Sequence, residues 1–517
     1  MKTSQDGKTV SSWFEHVEVP QFDPLDGDRE CDVCIVGAGI AGLSVAYQLI
    51  HAGRSVIVID DSQIGDGQTG RTSAHLASEW DDRYFEAERE LGAEAARKIY
   101  DSHSRAIDEI EAIAQRENID CDFQRVHGWL FLDPSTKESD LDDELKAAHR
   151  AGFGDVERQP RLPIEGFDPV PCLRFGRQAE FHPIRYLAGL ARTITQRGGK
   201  IFCGDRVVDV QGTDKSKHAR ATAITQRGPV VRANAIVVCT NTPAPINDWM
   251  GIYTKQSAYR TYVIAAKIPK GSIPSALYWD TADPYHYVRV QKMPQQDFDL
   301  LLIGGEDHKT GQFPERAAPF MRLETWARPR FKQMGEVIYR WSGQVQEPID
   351  GVAFIGLSPH AKPDVYVATG DSGMGLTHGT IAGMLITDLI LGKHNPWTDL
   401  YNPSRKTPAA AGDFLKENLN AAEQFVKHLT PGEVSFVDEI TPDSGALMRH
   451  GLKKLAVYKD ESGRVHELSA ACTHLGCLVS WNDIEKTWDC PCHGARYDPT
   501  GKVIMGPAIT DLSHHKE

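Results

Sequence analysis

Apolar positions follow three successive rhythms along the chain, and each rhythm predicts a different architecture. From residue 32, short continuous apolar runs alternate with helical spacing. Asp32 to Val36 (DVCIV) reads as a buried strand. Leu43, Ala46, Leu49 and Ile50 recur at helical intervals, and Gly53 stops that helix. Ser55 to Ile59 (SVIVI) reads as a second strand, ending in Asp60. Ala235 to Cys239 and Asp364 to Ala368 are runs of the same kind, and Thr380 to Leu391 predicts a closing helix. Residues 81–150 are charged and Ala-rich with helical periodicity. The second rhythm, over residues 255–345, alternates apolar, polar and aromatic positions (YRTYVIAA, YHYVRV), as an antiparallel sheet requires. After a linker at 402–412, Leu415, Leu419, Ala422, Val426 and Leu429 mark one face of an amphipathic helix. Thr430-Pro431-Gly432 breaks it. The third rhythm follows: short strands between Gly, Asp and Asn turns, a small all-β pattern.

These rhythms divide the chain. An irregular arm covers 1–29 and a large α/β unit covers 30–401. Within that unit, about 30–80, 170–254 and 346–401 form a parallel-sheet part, and about 81–169 and 255–345 form an interleaved antiparallel-sheet part. A linker and helix (402–430) lead to the β domain, 431–517.

Composition narrows the function. Hydrophobic residues at 41% and charged residues at 25% are ordinary for a soluble globular chain. A net charge of −14 argues against a nucleic-acid partner. No apolar run approaches the roughly 20 residues of a membrane span. The first residues show neither an apolar leader nor a twin Arg, so a cytoplasmic chain is expected. Six of the ten cysteines are scattered (Cys31, Cys34, Cys121, Cys172, Cys203 and Cys239) and read as reduced core residues. Cys31 and Cys34 have redox-motif spacing but lie inside a buried strand, where thiols are inert. The other four, Cys472, Cys477, Cys490 and Cys492, are crowded together and suggest a metal centre.

Gly37, Gly39 and Gly42 form a G-x-G-x-x-G between the first strand and its helix, and Asp60 ends the next strand. That context turns a weak motif into a dinucleotide site. Gly37 makes the tight turn, Gly39 lets the backbone approach a pyrophosphate, and Gly42 lets helix and strand pack closely. The helix N-terminus favours the phosphate charge, and Asp60 would bind the ribose. There is no second such motif after a strand, which argues against a separate NAD(P)H site.

The large unit resembles the FAD-dependent oxidoreductases of the D-amino-acid-oxidase and glycine-oxidase type over about residues 30–395. Three stretches carry the likeness, in order. Gly67-Gln-Thr69-Gly70-Arg71-Thr72-Ser73-Ala-His75 matches the segment that runs along the flavin. Ala235 to Thr242 matches the strand returning to the dinucleotide. Gly370-Asp371-Ser-Gly373-Met374-Gly375 matches the second flavin-contacting loop. The resemblance implies FAD, with Thr69, Gly70, Arg71, Thr72, Gly370, Gly373, Met374 and Gly375 beside it. The His that holds flavin covalently in some relatives falls on Arg71, so noncovalent FAD is expected.

Cys472-Thr-His474-Leu-Gly-Cys477 and Cys490-Pro-Cys492-His493-Gly place one Cys and one His ligand candidate in each of two loops. Two Cys and two His suit either zinc or a Rieske cluster, but zinc has no use for the two further cysteines. The pattern closely resembles the Rieske [2Fe–2S] domain. That resemblance implies Cys472 and Cys490 on one iron, His474 and His493 on the other, and a Cys477–Cys492 disulfide joining the loops. Gly506-Pro507-Ala508 is similar to the proline loop over the cluster. Neutral imidazoles in place of thiolates raise the potential of such centres above that of all-Cys ferredoxins. High-potential Rieske proteins have Ser where this chain has Ala495, which implies a potential below that class, while Tyr497 is retained.

The two resemblances together imply a dehydrogenase for the C–N bond of an amine, imino acid or amino acid. Electrons would pass from flavin through the cluster to an external acceptor. A rival reading is a flavin and iron–sulfur relay between protein partners, with no small substrate. The antiparallel sheet supplies pocket candidates: Tyr259, Arg260, Tyr262, Tyr285, His286, Tyr287, Arg289 and His308. An Arg there could clamp a carboxylate and a His could act as base, so His286, Arg289, Tyr259 and His308 stand as the catalytic candidates. Trp341-Ser-Gly343-Gln344-Val-Gln-Glu347-Pro348-Ile-Asp350 and Gly304-Gly305-Glu306-Asp307-His308 either line the flavin or turn the chain.

Overall fold

A computed structural model describes residues 7–242, 252–312, 318–359, 363–406, 430–451 and 453–515. The amphipathic helix expected at 415–429 lies outside the described residues.

Strand Arg29–Val36 is buried on both faces from Val33 onward, which is why its sequence is a continuous apolar run. It pairs in parallel with Val56–Asp60 on one side and Val230–Val238 on the other. Lys200–Cys203 extends one edge; parallel Val365–Thr369 and antiparallel Phe354–Leu357 extend the other. Helices Ile40–His51 and Gly375–Ile390 cover one face. The second helix starts before the expected Thr380, because Leu376-Thr-His-Gly lacks an apolar rhythm although Leu376, Thr377 and His378 are buried. The carboxyl ends of the parallel strands lead into Gly37, Asp60, Cys239 and Gly370 at one rim, where ligands of such sheets bind.

The second sheet is mostly antiparallel. Gln256–Pro269 lies between Val337–Pro348 and Phe298–Lys309, and the order continues through Tyr287–Gln291, Leu277–Asp280, Gln124–Phe131 and Cys172–Glu180. The last strand corrects the expected boundary at 170: it pairs with Gln124–Phe131 and Val156–Gln159, so the first sheet resumes only after it. Its start, with Arg174 between buried Leu173 and Phe175, already alternates as an antiparallel strand does.

Period two sorts this sheet. Val263, Ala265, Leu277, Trp279, Leu300, Leu302 and Trp341 join the core shared with the first sheet. Tyr262, Ile264, Tyr278, Val288, Val290, Leu301 and Ile303 pack on the outer side with Leu323 and Ala327 of helix Ala318–Arg330. The C-terminal β domain holds a three-stranded sheet, Ser444–His450, Lys453–Lys459 and Val465–Ser469. A four-stranded sheet begins at Ser480–Asn482 and ends at Val503–Met505. Trp481, Trp488 and Tyr497, on its strands, are buried in the domain's core.

Candidate cofactor and substrate site

The rim of the parallel sheet is built for close backbone approach. Gly37 has φ +106°, and a Cβ there would lie 2.6 Å from the Cys239 carbonyl oxygen. A Cβ on Gly42 would lie 1.8 Å from the Gly37 carbonyl oxygen, so only glycine lets the helix start against the turn. Asp60 Oδ2 accepts from the Ala38 N–H at 2.5 Å, and Oδ1 accepts from the N–H and hydroxyl of Ser62 at 2.8 Å. Burial and the neighbouring Asp61 push its carboxyl up to about 6. Thr69 Oγ1 accepts from the Ile40 N–H at 3.1 Å and ties the 67–72 segment to the helix start.

One continuous cavity runs from this rim into the second sheet. Gly37, Gly39, Asp60, Thr69, Arg71, Thr72, Gly370, Gly373, Met374 and Gly375 line it. Gly42 and Gly70 stand behind the wall, where a Cβ would meet backbone at 1.8 and 1.9 Å. Buried His75 Nε2, His378 Nε2 and Gln344 Oε1 have no hydrogen-bond partner, and all three residues line the cavity. A glycine-walled groove ending in an acidic residue, with polar atoms left for a ligand, fits FAD.

At the other end the walls become acidic and aromatic. Glu79, Asp81, Asp307, Glu347, Trp279, Tyr285 and Tyr287 line the cavity. Burial pushes the Asp81 and Asp307 carboxyls each up to about 6 and raises Glu79 and Glu347 as well. Glu79 is paired with Arg83 at 3.0 Å, and Tyr287 shares a 2.7 Å hydroxyl contact with Thr261.

The four expected catalytic residues are not among those lining this cavity. His286, just before the strand that begins at Tyr287, turns to the outer side, while Tyr285 and Tyr287 pack against the inner core. Its ring stacks on Trp326 at 4.1 Å, and Nδ1 meets Asp280 Oδ2 at 2.8 Å. His308 likewise stacks on the outer-face Tyr262 at 5.4 Å. Arg289 shares the inner face with Tyr287 but lies farther along it. Its guanidinium donates to the Ala74 carbonyl at 2.6 Å and lies 3.6 Å from Glu180. Tyr259 is half-buried on the strand between Lys309 and Val345. Of the wider set, Tyr285 and Tyr287 do line the cavity. Sequence reasoning passed over Glu79, Asp81 and Trp279; the Glu-Trp-Asp-Asp run at 79–82, just past the flavin-like stretch, was the available signal.

In the β domain the two Cys-His loops converge. The His474 and His493 rings are 5.1 Å apart, and buried His493 Nδ1 has no hydrogen-bond partner. Burial lowers both imidazoles to about 4, so they are neutral, as metal ligands must be. Cys472 and Cys490 are unpaired by disulfide, while Cys477 and Cys492 form one. The sulfurs of Cys477, Cys490 and Cys492 lie within 4.8 Å of one another, but the bridge occupies two of them. That leaves Cys490 with Cys472, whose thiol its neighbour Cys490 and then Tyr497 hold down to about 7, against the effect of burial. Tyr497 Oη lies 3.1 Å from Cys472 Sγ. Two thiols and two neutral imidazoles facing one another fit a [2Fe–2S] centre of mixed ligation.

The two sites share walls. Gln344 lines the cavity, and its Nε2 donates to the Gly494 carbonyl at 3.0 Å, one residue from His493. Tyr253, from the large unit, lies 5.1 Å from the His474 ring and 6.4 Å from that of His493. Glu485 of the β domain, fully buried, lies 3.1 Å from Arg71 and 3.4 Å from Arg260, and it accepts from the Thr9 N–H at 3.0 Å. Burial alone would raise its carboxyl, but Arg71, Arg260 and Arg496, with a Ser342 hydrogen bond, hold it at about 2. Arg71 therefore lines the cavity while its charge is spent on the domain junction.

Comparison with known proteins agrees with both sites. Residues 32–389 match the family model "FAD dependent oxidoreductase", and 431–516 match the "Rieske [2Fe-2S] domain". The chain is 32% identical over 505 residues to a putative Rieske 2Fe-2S iron-sulfur protein, YhfW, of Bacillus subtilis (strain 168), covering 97% of this chain and 96% of that one. It is 25% identical over 379 residues to the gamma-glutamylputrescine oxidoreductase of Escherichia coli (strain K12), covering 72% and 86%. The crystal structure of L-proline dehydrogenase from P. horikoshii superimposes with a TM-score of 0.60 at 16% identity, covering 73% of this chain and 98% of that one. The likeness to that structure is one of fold.

Proposed function

The chain belongs to the FAD dependent oxidoreductase family and carries a Rieske [2Fe-2S] domain, and from this we propose that it is a dehydrogenase of the C–N bond of a cationic amine, with electrons leaving through the cluster. Gly37, Gly39 and Asp60 would hold FAD, which would supply hydride-accepting chemistry for the carbon beside nitrogen, and Cys472, His474, Cys490 and His493 would hold a [2Fe–2S] centre, which would supply one-electron transfer toward an external acceptor. The observation that carries the reading is the shared wall, where Gln344 lines the flavin cavity and bonds directly to the loop of His493.

The chain's own residues have separable tasks. Asp81, Asp307 and Glu347 present carboxylates to the substrate end, and Trp279, Tyr285 and Tyr287 present aromatic surface. That combination binds an ammonium by ion pairing and cation–π attraction. Among the described residues, Arg71 and Arg206 are the arginines lining the cavity, and both meet carboxylates, Glu485 and Asp61. This favours an amine over an amino acid that needs its own carboxylate clamped. The Escherichia coli relative is an oxidoreductase of gamma-glutamylputrescine, a compound built on a diamine.

The test is anaerobic mixing of the holoprotein with a panel of diamines, monoamines and amino acids. Flavin absorbance and the electron-spin signal of the reduced cluster are followed together. Diamines should bleach the flavin, with the cluster signal rising in step. Bleaching with an oxidised cluster would overturn the electron route. A flavin untouched by the whole panel would instead favour a relay between protein partners.

A further inference from the structure

One wall of the cavity comes from the β domain. Ile504, Met505, Gly506, Ala508 and Ile509 of the β domain line the same cavity as Gly37 and Asp60 of the large unit. Their place along it is fixed by Arg206. That guanidinium lies 2.7 Å from Asp61, next to Asp60, and donates to the Val503 carbonyl at 3.0 Å. Arg206 and Val207 line the cavity too. The segment therefore lies at the end where Asp60 would bind the ribose, and it follows Gly494, where Gln344 crosses, by about ten residues in the chain. Ile504, Met505 and Ile509 are half-buried apolar side chains, whereas Pro507 and Ala508 are buried. A half-buried Ile-Met-Ile set beside a groove for a purine nucleoside is apolar surface a bound adenine would remove from water.

We propose that the Rieske domain forms part of the FAD site itself: its 504–509 segment closes the adenosine end of the groove and retains the dinucleotide. The segment that the sequence reading assigned to covering the cluster thus has a second face, turned to the flavin unit. FAD retention then depends on the β domain being seated, whatever the substrate or acceptor. The Arg206 bridge and the buried Glu485 contacts hold it there.

The test uses the full-length chain with both cofactors and the double variant Ile504→Ala/Met505→Ala. Flavin binding to flavin-stripped protein is measured with FAD and with FMN, which lacks the adenosine. The electron-spin signal of the reduced cluster reports whether the β domain is intact. FAD should bind about tenfold more weakly and leave correspondingly faster, the effect of uncovering a few methylene groups. FMN binding and the cluster signal should not change. Unchanged FAD binding would overturn the proposal, and so would an equal loss for FAD and FMN. Should the double variant lose its cluster signal, Met505→Ala alone, which shortens one half-buried side chain, is judged by the same two criteria.

Discussion

Asp81 and Asp307 give amine recognition a pH signature. Burial raises both carboxyls to about 6, against about 3.9 in an unfolded chain. A carboxyl with a raised folded value takes up protons on folding between those limits. Its burial therefore costs stability progressively as pH rises from about 4 to about 6. A bound ammonium reverses that cost by favouring the ionised form. The KM for a cationic amine should fall as pH rises through about 6 and level off above it. Asp81→Asn should raise KM roughly tenfold or more, the worth of a charge-assisted hydrogen bond, and flatten that profile. A KM independent of pH in the unmodified protein would argue against carboxylate recognition. Ala495 makes a second residue-scale case. It is fully buried, and its carbonyl accepts from the Cys490 N–H at 2.8 Å. Ala495→Ser would add a donor beside the cluster sulfurs. One hydrogen bond of about 1 kcal/mol corresponds to a rise on the order of 40 mV in a one-electron potential, readable in a redox titration.

The strand–turn–helix that begins at Arg29 was legible because every local signal in it agrees. The apolar run, the glycine spacing and Asp60 each demand the same turn, and the close contact of Gly42 with Gly37 is the physical constraint behind the motif. Gly42→Ala should accordingly leave the protein folded but poor in flavin. The measure is the ratio of bound FAD to cluster in purified protein, and full occupancy would contradict the reading of this turn. The Cys-His loops were legible for a similar reason: ligand identity is written in the residue types. The substrate end was not. Its strands alternate correctly, but alternation does not say which face meets the cavity. His286 and Tyr287 are neighbours in sequence and sit on opposite faces. A sequence also carries no mark of distance along a face, so Arg289 had the right parity and the wrong position. Strand Cys172–Glu180 escaped because its apolar positions do not say which sheet it joins, and its partners, Val156–Gln159 and Gln124–Phe131, precede it in a stretch whose periodicity reads as mainly helical.

At the scale of the whole molecule, the junction between domains is what composition and motif could not announce. Glu485 is an ordinary acidic residue in a small β domain, and Arg71 sits inside a flavin-like motif. Their 3.1 Å contact joins chain segments more than four hundred residues apart and, with Arg260, buries three charges together. Such a cluster is favourable only while complete, because losing one partner strands the others without water, at a cost of about 3–5 kcal/mol. Glu485→Gln should therefore lower the stability of the seated domain by an amount in that range. The sign of its pH dependence follows from the carboxyl value of about 2 against about 4.3 when unfolded. A depressed carboxylate contributes stability that is fully present above about 4.3 and is lost as pH falls toward 2. The gap between the unmodified protein and Glu485→Gln, measured by denaturant unfolding with tryptophan fluorescence, should be widest near neutrality and close progressively below about pH 4. A gap that stayed constant through that range would mean the junction is held by packing and neutral hydrogen bonds, such as Arg206 to Val503, and not by the buried charges.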